Sequence, residues 1–191
     1  MFRNLMVLWM SVLAGGLISA GAQTKLPPPP PGFKVIADSP STTAMRAAGV
    51  MDMLQAEKPN DDWPGCIVDP KVAFKASWTN SPGAEQNVKM MLKMPEEPPA
   101  FSMGTKTEPA GKQQYKGGAL TWTKKTVMAA GTASAKCPGN QVILYDGSWV
   151  GYSNGKLLGV AVTNLYGQKE AGQAWFDPYI DKLLVAVSNS K

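Results

Sequence analysis

Side chains able to do chemistry are few in this chain, and their spacing restricts them further. The sequence contains no histidine, the side chain that most often serves as general base and metal ligand near neutral pH. Ser-His-Asp hydrolysis and histidine-ligated zinc are therefore excluded. The two cysteines, Cys66 and Cys137, form no Cys-x-x-Cys pair and have no imidazole to activate a thiolate. They read as one disulfide, a bridge that an oxidising compartment favours and that typically contributes ~2–4 kcal/mol.

Two strings look like sites and do not hold up. Ser153-Asn154-Gly155-Lys156 matches the Ser-x-x-Lys of penicillin-interacting serine enzymes, but that chemistry needs Ser and Lys one helical turn apart. Its companion Ser-Asp-Asn and Lys-Thr-Gly strings are missing, and Asn-Gly at the centre predicts a hairpin turn. Asp61, Asp62 and Asp69 could offer oxygen ligands to calcium, yet they lack the spacing of an EF-hand. A solvated loop is expected there. Glu96-Glu97 stands among prolines as the polar end of a helix. No residue thus carries a catalytic, cofactor-binding or metal-binding role, and no cofactor is implied. Hydrolysis by two carboxylates stays open, provided a pair lies about 5–10 Å apart.

The formal charge of +5 comes almost wholly from scattered lysines, with Arg46 the only arginine beyond Arg3. Arginine supplies bidentate recognition of phosphate and guanine, so specific nucleic-acid binding is disfavoured. Lys124-Lys125, the one adjacent basic pair, reads as a solvated strand or turn. The charge supports only weak attraction to an anionic surface.

The N-terminus has the order of a secretory signal: Arg3, an uncharged apolar run over 5–18, then Ala20-Gly21-Ala22. Residues 1–22 are read as that signal, cleaved after Ala22. The run is shorter than the ~20 residues a spanning helix needs, so no permanent membrane span is expected after cleavage. The mature protein is placed in the periplasm or outside the cell. Residues 23–33, with five consecutive prolines, read as a flexible linker, and 34–191 as a single globular domain.

Within that domain, Ala44, Ala47, Ala48, Met51 and Leu54 recur at helical spacing over 41–55, with Ser39 or Ser41 as cap and Gly49 as a weak point. Residues 72–78 alternate as a strand. A second helix over 83–94 carries Val88, Met91 and Leu92 on one stripe and stops at Pro95, Pro98 and Pro99. Residues 100–107 and 114–128 read as strands, with Gly117-Gly118 a bulge or bend. Asp146-Gly147 and Asn154-Gly155 predict two tight turns in a β-meander over about 141–165. Tyr145 would then face Ser148, Ile143 would face Val150, and Leu158 would face Gly151. One face carries Val142, Leu144, Trp149, Leu158, Val160 and Val162 as core. The other carries Ile143, Tyr145, Val150, Tyr152 and Leu157, a face that a helix of the same chain should cover. The chain closes with a docking helix over about 178–188, with Asp177 as cap, Pro178 in first position, and Ile180, Leu183, Leu184 and Val187 as its stripe.

These elements predict an α+β fold, a mostly antiparallel sheet with helices packed on one or both faces. The functional reading is an exported, non-catalytic binding or accessory protein. Its partner would be an envelope protein, a glycan or a small ligand, held through Tyr145, Val150, Tyr152 and Leu157. The alternatives are the carboxylate hydrolase above and a structural or stress-protective envelope protein without a ligand.

Overall fold

Alternating apolar residues build the centre of the molecule, and two of its indoles lie over glycines. The computed structural model describes residues 25–129 and 137–189. In chain order the elements are β1 (Lys34–Val35), α1 (Pro40–Ala47), β2 (Met51–Lys58), β3 (Val72–Asn80), α2 (Ala84–Lys93) and β4 (Ala100–Ser102). There follow β5 (Thr105–Tyr115), β6 (Gly118–Met128), β7 (Gln141–Ser153), β8 (Lys156–Tyr166) and α3 (Lys169–Ser188). The described residues form one eight-stranded sheet in the order β1-β2-β3-β8-β7-β6-β5-β4, every pair antiparallel. With α3 following the strands, the fold is α+β as the sequence predicts. No helix among the described residues is long and apolar enough to cross a membrane.

The inner face of the sheet holds Phe74, Trp78, Leu120, Trp149, Leu158 and Val160, buried beneath Phe176, Ile180 and Leu183 of α3. Trp149 has no exposed surface and donates from its indole N–H to the Tyr115 carbonyl at 2.7 Å. An indole of that size buries about 200 Å², a gross gain of about 5 kcal/mol. It needs room, and glycines supply it. A Cβ on Gly118 would stand 2.6 Å from Trp149 Nε1, and one on Gly151 closer still to the same ring. Trp122 is seated likewise between Gly147 of β7 and Gly172 of α3, whose Cβ atoms would come within 2.7 and 2.6 Å of the ring.

Several local expectations need correction. Helix α1 stops at Ala47, and Met51–Lys58 is strand β2, paired along its whole length with β3. Gly49, at φ 66°, turns the chain out of the helix, and sheet pairing outweighs the helical spacing of Met51 and Leu54. Ser39 is the cap, its hydroxyl accepting from the Thr42 amide. The stretch 100–107 is broken by a turn at Met103-Gly104, and Lys116-Gly117 is a turn between β5 and β6, both residues at positive φ.

Asp146-Gly147 makes no turn, since β7 runs unbroken between β6 and β8. Gly147 is there for lack of a side chain, not for its backbone freedom. Trp149 and Leu144 consequently point to opposite faces, and the single core face of the sequence reading divides. Trp149, Leu158, Val160 and Val162 lie under α3, whereas Val142 and Leu144 join Trp63, Ile67 and the two cysteines in a second cluster. The Asn154-Gly155 turn forms as expected, with Gly151 opposite Leu158.

Helix α3 begins at Lys169, with Pro178 inside it. Asp177 does not cap; its carboxylate accepts from the Tyr115 hydroxyl and from Gln173 Nε2. Finally, the described part of the proline segment is packed against the domain. Pro30 and Phe33 are buried, and Leu26 packs on the core. Tyr179, whose hydroxyl burial pushes well above its ordinary pKa with help from the Asp52 charge, donates to the Pro27 carbonyl at 2.9 Å. Arg46 clamps Asp38 to Asp52 and also reaches the Met53 carbonyl, and Asp52 accepts from the Leu26 amide. The expected signal over 1–22 lies outside the described residues.

The glycine seats predict the response to substitution. Gly151→Ala or Gly147→Ala should cost about 1–3 kcal/mol or more by overpacking, a fall in Tm of roughly 2–12 °C for a chain of this size. Gly83→Ala, where a Cβ meets nothing within 4 Å and φ is −95°, should stay within about 0.5 kcal/mol. Thermal unfolding of the three variants checks this; equal Tm values would refute the seating.

Candidate functional site

The outer face of the sheet is covered by two different devices that leave a gap between them. At one end α2, buried through Ala84 and Val88, lies over β5 to β8. At the other end the loop 59–71 folds over Val142, Leu144 and Tyr166. Cys66 and Cys137 stand at disulfide distance there, with Cα atoms 6.2 Å apart, inside the usual range for a bridge. Trp63 packs edge-on to Tyr166 at 5.3 Å and donates to the Ile67 carbonyl.

The acidic string of this loop is used to shape it. Asp69 accepts from the amide and side chain of Asn60 and from the Lys71 amide, while Asn60 in turn accepts from the Tyr166 amide. Burial acts to raise the Asp69 pKa, but these donors outweigh it and hold the carboxyl below the usual range. Asp61 pairs with Lys58. Among the described residues no group of three or more Asp, Glu, His or Cys side chains could hold a metal ion.

The residues singled out as a partner surface are separated by the register. Val150, Tyr152 and Leu157 lie on the outer face with α2, Val150 and Leu157 half-buried and Tyr152 at the rim. The Tyr152 hydroxyl bonds Glu85 of α2; the Lys89 ammonium and then this bond lower the Glu85 pKa. Tyr145 lies on the inner face, opposite Leu165 and Lys124, against the edge of the main core. A platform of paired tyrosines therefore does not form, and the helix expected over this face is α2. Ser153 and Lys156 close the β7–β8 hairpin as cross-strand neighbours. Lys156 lies over the Trp78 ring at 5.2 Å, and Asn154 donates to the Val187 carbonyl, so the string serves packing.

What remains open is a cleft of about 350 Å³ on the outer face. Its floor is Ala119, Thr121 and Thr123 of β6 with Thr107 and Pro109 of β5. Its wall is the end of α2 and the turn after it, Met91, Met94, Pro95 and Pro98. Lys112 ties wall to floor, its ammonium donating to the Met94 carbonyl at 2.6 Å. Glu96, Glu97 and Glu108 line the same space. Sequence reasoning missed this site because its prolines register as a helix stop and its threonines as strand formers; only the crossing of α2 over the sheet brings them together. A smaller crevice of about 190 Å³ between β5 and the start of α3 is crossed by Lys169, which donates to the Ala110 carbonyl.

The cleft is lined by threonines and glutamates set among methionine and proline side chains. Its hydroxyls belong to threonines with no imidazole or thiol near them. A general acid needs a raised pKa; Glu108 is held low, by its bond to Lys106 above all, although burial acts in the opposite direction. No family model matches the chain, and no curated protein sequence matches it.

The loop geometry has a measurable pH signature. The Asp69 carboxylate has a folded pKa below its unfolded value of about 3.9, so its contribution is complete above that pH and is lost as pH falls through the folded value. Asp69→Asn should lower stability at pH 7 by about 1 kcal/mol, allowing for partial exposure. The difference from wild type should be smaller at about pH 3 than at pH 7, falling further as pH passes through the folded value. Urea unfolding at both pH values checks this, and an unchanged difference at low pH would refute the role of the charge.

Proposed function

We propose that the mature protein is an exported, non-catalytic binding module that takes a small ligand in the cleft between the end of α2 and strands β5 and β6. The observation that carries the reading is the cleft itself. Its volume of about 350 Å³ falls at the lower end of ligand sites, and its composition, apolar walls with a few convergent polar groups, is the usual one. Export is supported by the signal-like order of Arg3, the apolar run and Ala20-Gly21-Ala22. The cysteine pair at disulfide distance agrees with an oxidising compartment.

A peptide strand added to the neighbouring sheet edge is the less favoured mode. Beyond the short β4, the free edge of β5 carries Pro109, and its pairing with β6 shifts register between Pro109 and Gly111. Both devices protect an edge from strand addition. The occupant is therefore a compact molecule.

Native mass spectrometry of the protein recovered from its host's envelope should find a bound mass on wild type. Ala100→Trp should remove it. Ala100 is exposed at the rim of the cleft and faces Thr107, so the indole fills the space without disturbing the core. A wild-type protein that arrives empty, or a plugged variant that keeps its ligand, would refute the reading.

A further inference from the structure

The cleft has a charge opposite to that of the protein that carries it. Two of the chain's six glutamates, Glu96 and Glu97, stand at the mouth of this space against a single lysine, Lys112, in a protein of net charge +5; Glu108 borders it too, but its side chain lies with its cross-strand partner Lys124 on the inner face. The four are not equivalent. Glu108 is paired with Lys106 at 2.8 Å. The Lys112 ammonium is committed to the Met94 carbonyl. Glu96 and Glu97 are exposed at the mouth and have no side-chain hydrogen bond or ion pair among the described residues. Lys93 on the last turn of α2 and Lys124 on the inner face do not line the cleft.

Behind these carboxylates the walls are thioether and proline. Met91 and Met94 present unbranched, polarisable side chains that adapt to irregular apolar shapes, and Pro95, Pro98 and Pro109 fix the wall around them with little conformational freedom. Among the described residues that line the cleft only Trp122 is aromatic, and its ring is seated between Gly147 and Gly172 on the other side of the sheet, so a cation at the mouth is met by carboxylates and not by a π face.

Resting on the cleft as the binding site, we propose that it selects an organic cation with an apolar body: the body enters between Met91, Met94 and the threonine floor, and the positive group stays at Glu96 and Glu97. An anionic ligand of the same shape meets two unpaired like charges, which is a device of rejection as much as of attraction. The carboxylates lie in high dielectric at the mouth, so the preference weakens as salt screens them.

The test titrates the full mature protein, by calorimetry below micelle concentration, with decyltrimethylammonium, decyl maltoside and decyl sulfate. Wild type, Glu96→Gln/Glu97→Gln and Ala100→Trp are compared. Wild type should bind the cation at least about tenfold more tightly than the neutral probe, about 1.4 kcal/mol, and the anion most weakly. The double Gln variant should lose that order while still binding the neutral probe, and the plugged variant should bind none. If all three probes bind wild type alike, or the Gln variant keeps the preference, charge selection is refuted while the cleft stands. If the plugged variant binds as wild type does, or if no probe binds wild type, the cleft itself is refuted for this ligand class.

Discussion

The structure depends on two tryptophans occupying space that glycines leave empty. Trp149 is closed in by Gly118 and Gly151, and Trp122 by Gly147 of the sheet and Gly172 of the helix. The second pairing matters most, because a glycine on each side of one ring allows α3 to approach the sheet with only an indole between their backbones. At that distance Phe176, Ile180 and Leu183 reach the β3, β7 and β8 side chains and exclude water. Close packing makes such a contact specific: interiors at crystal-like density have no slack into which a displaced ring could move. The helix is then tied at its middle, where Tyr115 bonds Asp177 and Lys116 reaches both the Asp177 carbonyl and Asp181. Pro178 therefore sits in a stretch held from outside the helix.

With the inner face closed by one long helix, the outer face must be covered in pieces. Helix α2 arises from the crossover between β3 and β4, which are far apart in the sheet order, so the chain has to travel across the outer face to reach its edge. Ten helical residues of α2 span about 15 Å, enough to cover the β7–β8 end but not the whole crossing. The proline-rich turn that follows completes the journey without lying flat, and the cleft is the space beneath it. The far end is closed separately by the loop that Asp69 and Asn60 shape and that the cysteine pair pins to the start of β7. The cleft is thus a consequence of topology, which is why it carries no contiguous motif.

That origin explains what could be read from the residues and what could not. The Asn154-Gly155 turn was legible because both residues adopt the left-handed backbone that an Asn-Gly pair accepts most easily. Asp146-Gly147 has the same chemistry and no turn, since the demand on Gly147 comes from Trp122, a residue on another strand. Helix α2 was legible from its stripe and its prolines. Strand β2 was not, because Met51 and Leu54 repeat as a helix would and only pairing with β3 overrides them. The core stripe of α3 was legible; its first turns were hidden by the rule that a proline following a capping residue starts a helix. The packed N-terminal segment depends on Tyr179 and Asp52, remote in sequence from Pro27 and Leu26, and a run of prolines offers no local sign of such partners.

Many ionic side chains among the described residues are paired in structural roles: Arg46 with Asp38 and Asp52, Lys71 with Glu57, Lys125 with Asp146. Such pairs hold the N-terminal segment and the strands in place, and screening by water and salt keeps each exposed one to a small contribution. Glu96 and Glu97 make no such pair among the described residues. They lie on a turn that needs no carboxylate to form, beside prolines that already terminate α2, and their position at the mouth of an apolar space serves no packing purpose. A hydrolase would need one of two carboxylates pushed toward neutral pH by an apolar pocket, whereas these face solvent. In the proposed reading, exposed negative charge in front of a methionine-lined hollow sorts molecules by charge before they enter.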